Sequence, residues 1–110
     1  RMLRDVDSPN LHGMIDTVCL KACHETIEDA IRNITPERLR HFHFSDVNME
    51  GDGVDHIIPG EGTMDLDHVL DQLDRAGYRG YLSLELMSPY EYAAEDAMRK
   101  GAEWMRARME

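Results

Sequence analysis

The chain has 110 residues, 42% hydrophobic and 31% charged, the make-up of an ordinary soluble globular protein of one domain at most. Its 22 acids against 12 bases leave a formal charge of −10, which argues against a nucleic-acid backbone or an anionic membrane as partner. The apolar runs are too short to span a bilayer and no signal peptide opens the chain, so a cytoplasmic location is expected.

The first residue is Arg1, and further sequence upstream is expected. "LHGMIDTV", Leu11 to Val18, is strand-like. Cys19 and Cys23 are the only cysteines; their spacing fits no common zinc or redox signature, and reduced thiols are expected. In "TIEDAIRNI" the apolar residues Ile27, Ala30, Ile31 and Ile34 fall on one helical stripe, with Thr26 as N-cap and Pro36 past the end.

"LRHFHFS", Leu39 to Ser45, is a second strand, followed by a glycine-rich loop. "DLDHVLDQLDRAG" places Leu66, Val69, Leu70 and Leu73 at helical spacing between an Asp65 cap and Gly77. "YLSLELM", Tyr81 to Met87, is the third strand. The closing helix carries Ala94, Ala97, Met98, Gly101 and Met105 on one side, with Trp104 beside them. Strands alternating with helices mean βα units and a parallel sheet.

Alternation within the strands refines this α/β class. Leu82, Leu84 and Leu86 point one way and Tyr81, Ser83 and Glu85 the other; Phe42 and Phe44 oppose His41, His43 and Ser45. Each strand therefore has one apolar face and one that turns polar toward its C-terminal end. A doubly wound sheet is apolar on both faces, whereas a (β/α)8 barrel keeps helices outside and collects functional side chains at strand C-termini. Such barrels need about 250 residues. Three consecutive βα units are thus expected to be the C-terminal portion of a TIM barrel, with residues 1–110 a single partial domain. Exposed sheet edges then call for a homo-oligomer or for the missing N-terminal barrel half.

Asp16, His43 and Glu85 fall at or near the ends of the three strands, all on the inward face. Singly, each has an ordinary structural explanation; together, one imidazole and two carboxylates are a ligand set for Mn²⁺, Co²⁺, Mg²⁺ or Zn²⁺ with positions left open. His56 reads as a substrate contact or a loop residue. Glu61 reads as surface loop, His41 as inner wall, and His12, His24 and His68 as uninvolved.

"IDTVCL", "LRHFHFSDVN", "IIPGEGTMD" and "GYLSLELM", in that order, resemble the C-terminal half of the xylose-isomerase-like barrels, and most of all their ketose 3-epimerase and sugar isomerase branch. The resemblance runs from Leu11 onward. It implies Asp16, His43 and Glu85 as metal ligands, Mn²⁺ first among the ions, and Glu85 also as one of two acid/base carboxylates. It implies a sugar or sugar phosphate as substrate, and a fourth ligand on an earlier strand with no counterpart here. Cys19 stands where the epimerases carry a substrate-contacting His, and Met49 where they carry an Arg. These departures keep both positions at the substrate while arguing against strict ketose 3-epimerase specificity. An inosose-type dehydratase shares the metal and enolisation step. A chain without the fourth ligand also admits a non-enzymatic reading, a self-associating incomplete fragment.

Overall fold

The computed structural model describes residues 1–109. Its elements in chain order are α1 (Met2–Val6), β1 (Gly13–Asp16), α2 (Thr17–Ala22), α3 (Ile27–Ile34), β2 (Leu39–Phe44), α4 (Leu66–Arg75), β3 (Tyr81–Leu84), a 3-10 turn (Tyr90–Tyr92) and α5 (Ala94–Met109). The strands form one sheet in the order β1-β2-β3, and both pairings are parallel.

Three of the helices, α2, α3 and α4, begin where the sequence supplies an oxygen acceptor for their free N–H groups. Thr26 Oγ1 accepts from Asp29 N–H at 3.2 Å to open α3, and Asp65 Oδ1 accepts from His68 N–H at 3.0 Å to open α4. At the other end of α4, Gly77 takes φ +74°, the left-handed conformation that ends helices. Two short helices, α1 and α2, have no apolar stripe long enough to announce them. The stretch read as a strand to Val18 stops at Asp16, because the Asp16 carboxylate turns forward onto the N–H groups of Val18 and Cys19 and starts α2.

One face of the sheet carries the core. Ile15, Phe42 and Phe44 are buried and pack with Ile27, Ile31, Leu66, Val69, Leu73 and Met105 from the helices. Phe42 and Phe44 are fully enclosed, and the Phe44 ring lies 5.9 Å from that of Trp104 on α5. The other face carries Met14 and Tyr81, both exposed, and the polar strand-end side chains. This division of faces follows from the period-2 alternation of the strands.

Candidate metal centre

Strand register places the polar residues. Asp16 pairs with His43, and His43 pairs with Ser83. Glu85 lies two residues beyond Ser83 on the same face, one pleat further along, and its N–H still bonds the Phe44 carbonyl at 3.2 Å. Its side chain reaches back to close the offset: Glu85 Oε2 is 2.9 Å from His43 Nδ1. On the other side His43 Nδ1 lies 3.5 Å from Asp16 Oδ2.

Asp16 divides its carboxylate between two tasks. Oδ1 accepts from Val18 N–H at 2.7 Å and Cys19 N–H at 3.3 Å, capping α2. Oδ2 is thereby aimed at His43. The neighbouring Thr17, fully buried, fixes the two strand ends together: its hydroxyl donates to the Ser45 carbonyl at 2.8 Å and accepts from Ser45 N–H at 3.1 Å.

His56 joins the cluster from the long loop after β2. Its Nε2 is 3.5 Å from Glu85 Oε2, and one ligand atom each of Asp16, His56 and Glu85 lie within 4.8 Å of one another. The sequence leaves His56 between a substrate contact and a loop residue, because loop position conceals which way a side chain turns. Two ligands at about 2.0–2.2 Å from a shared ion sit roughly 3.0–3.5 Å apart. The 3.5 Å separations of His43 from Asp16 and of His56 from Glu85 match that spacing, while the 2.9 Å between His43 and Glu85 is that of a direct hydrogen bond. The group whose donor atoms converge, Asp16, His56 and Glu85, supplies one imidazole nitrogen and two carboxylates and fits a divalent cation. Its imidazole is His56, whereas His43, the expected imidazole ligand, lies against Glu85 and Asp16 beside it.

The remaining positions lie around this group. Cys19 stands at the start of α2, and its thiol is held above the ordinary value, first by partial burial and then by Asp16, Cys23 and Glu85. Met49 is exposed on the loop, with its N–H bonded to Thr63 Oγ1 at 2.8 Å. His41 lies behind His43, the two rings edge to face at 5.2 Å. His68 pairs with Glu28 on the surface at 2.7 Å. Lys21, which no sequence signal singled out, sends its Nζ to the carbonyls of Asn48 and Gly53 and so ties α2 to the loop.

A parallel sheet with helices on its apolar face and acids and histidines at the strand C-termini is the arrangement of a barrel segment. Residues 1–108 match the xylose isomerase-like TIM barrel family, and the chain belongs to it. Fructoselysine 3-epimerases from Escherichia coli O157:H7 and Shigella flexneri are 33% identical to it over 85 residues, 77% of this chain. That stretch is 30% of each relative, so the chain spans under a third of their length. Among solved structures, the IolI protein with a bound zinc atom superposes over 94% of the chain and 39% of its own, with a TM-score of 0.77 and 24% identity. A xylose isomerase domain protein from Alicyclobacillus acidocaldarius covers 96% of the chain and 39% of its own at a TM-score of 0.76 and 22% identity. These likenesses establish the fold as part of a TIM barrel.

Proposed function

We propose that the chain is the C-terminal part of a metal-dependent sugar isomerase or epimerase, with Asp16, His43 and Glu85 as ligands and Glu85 also as acid/base. The observation that carries this is the convergence of Asp16 Oδ2 and Glu85 Oε2 on His43 Nδ1. The epimerase relatives point to a small sugar as substrate.

Isomerising or epimerising a sugar starts by removing a proton from the carbon beside its carbonyl. A divalent cation in the site, Mn²⁺ by the family resemblance with Co²⁺, Mg²⁺ or Zn²⁺ as others, supplies Lewis-acid support for the negative charge that develops on the sugar's oxygens. Asp16 and His43 hold their donor atoms fixed, one through the α2 cap and the other through strand pairing. Glu85 takes the proton through its carboxylate, which half-faces solvent and reaches the same space. For epimerisation a second acid outside this chain returns a proton to the opposite face. His56, Cys19 and Met49 line the approach to the sugar, His56 from beside Glu85 itself.

The test is isotope exchange in the complete barrel. A panel of ketoses and aldoses, free and phosphorylated, is incubated in D₂O, and deuterium at the carbon beside the carbonyl is followed by NMR. Glu85→Gln should abolish exchange while circular dichroism stays unchanged. Exchange at the wild-type rate in that variant removes Glu85 from the reaction.

A further inference from the structure

Asp46 follows the second strand directly and is 2% exposed, yet it holds no place in the donor cluster. All of its polar atoms are engaged with the loop that follows. Oδ1 accepts from Val47 N–H at 2.8 Å and Met64 N–H at 3.2 Å. Oδ2 accepts from Gly60 N–H at 2.9 Å and Gly62 N–H at 3.0 Å. Its main chain pairs with Ile57 in both directions, at 2.8 and 2.9 Å. Ile57 is the neighbour of His56. The following residue, Ile58, donates its N–H to the Tyr90 hydroxyl at 3.3 Å, which links the loop to the segment after Glu85.

A buried carboxylate is stable only where donors replace its lost water, and four backbone N–H groups do so here. The bonds run the other way as well: the turn from Gly60 to Met64 has this shape because a carboxylate sits inside it. Gly62 is needed there, since a side-chain carbon would overlap the Asp46 carboxylate. With the chain held directly after His56, at Ile57 and Ile58, the imidazole is 15% exposed and directed at Glu85.

We infer that Asp46 is a positioning residue: its carboxylate moulds the loop between Ile57 and Met64 so that His56 is delivered to Glu85. The inference rests on the proposed site, since it assigns the geometry of one of its members. It is distinct from that site, because Asp46 itself touches neither substrate nor metal.

The informative substitution is Asp46→Asn, which keeps size and shape but turns an N–H₂ group toward two N–H donors. The measurement is the imidazole NMR spectrum of His56 in the metal-free 110-residue chain at fixed pH, with and without Glu85→Gln. In the parent, Glu85→Gln should shift the His56 ring resonances. In the Asp46→Asn background the same change should move them by less than about half as much, while amide protection in the strands stays as it was. A residue acting only on global stability would lower protection everywhere and leave the response of His56 to Glu85 intact; that result overturns the inference. So does an unchanged His56 spectrum in Asp46→Asn. Should Asp46→Asn fail to fold, Gly62→Ala displaces the carboxylate with its charge retained and must give the same loss of coupling. Titration of Mn²⁺ or Zn²⁺ into the parent chain judges the metal reading separately. The inference predicts that Asp46→Asn weakens binding by about 10-fold, as supporting residues around metal sites do, and by less than twofold when His56 is already Ala.

Discussion

Substitution of Asp16 separates folding from chemistry, because its two carboxylate oxygens serve them one each. Oδ1 caps α2 through Val18 and Cys19, and Oδ2 faces His43. Asp16→Ala removes both functions. The lost cap costs about 1 kcal/mol, which for a chain of this size lowers Tm by roughly 4–8 °C. Asn caps as well as Asp, so Asp16→Asn should hold Tm within about 2 °C of the parent. For the metal the ranking changes, since Asn retains an oxygen but not the charge. Free cation at 100 times its Kd stabilises the parent by about 2.7 kcal/mol, a rise in Tm of roughly 10 °C or more. Both variants should lose most of that rise. The assay is thermal unfolding by circular dichroism with EDTA and with Mn²⁺ or Zn²⁺. Equal destabilisation of the two variants in EDTA refutes the capping argument. A full metal-induced rise in both refutes the assignment of Asp16 as a ligand.

Other consequences are checked more simply. Phe44, fully buried between Phe42 and Trp104 with ring centroids at 6.2 and 5.9 Å, should cost about 3–5 kcal/mol as Phe44→Ala. Urea unfolding reads this as a large fall in midpoint with unchanged slope; a loss under about 1 kcal/mol contradicts the packing described. Tyr78 donates its hydroxyl to the Tyr81 carbonyl at 2.8 Å, and burial raises its pKa above the ordinary 10.0. The folded state therefore favours the neutral phenol, so its contribution to stability is complete below pH 10 and is lost as pH climbs through the folded pKa. Phenolate absorbance, parent minus Tyr78→Phe, should show that ring ionising after the ordinary tyrosines; a midpoint at or below theirs refutes it.

Much of this was legible in the sequence, for local reasons. The βα alternation, the Thr26 and Asp65 caps and the inward or outward sense of Phe42, His43 and Phe44 depend on neighbours a few residues away. Those same rules place Asp16, His43 and Glu85 on one face. The pleat that separates Glu85 from the level of Asp16 and His43 was not legible, since register between strands depends on long-range pairing. Nor was α2, whose six residues form a helix only because an Asp at the strand end turns its side chain forward. His56 and Asp46 show the limit most clearly. Each owes its surroundings to a loop that folds back by about ten residues or more, a distance over which spacing patterns carry no information. The only trace was a Pro-Gly-Glu-Gly turn following an Asp beside the strand's inward His.

Glycine-rich turns with convergent N–H groups are common receptors for phosphate. Here the turn from Gly60 to Met64 already holds an anion, the carboxylate of Asp46, covalently tethered to it through the loop between them. A tethered carboxylate competes at an effective concentration that dissolved phosphate or sulfate does not reach. The turn therefore acts as an occupied receptor, its N–H groups already bonded to a carboxylate. Cutting the tether, by Asp46→Gly, should reopen it to small carboxylates such as acetate, which would restore the loop from solution.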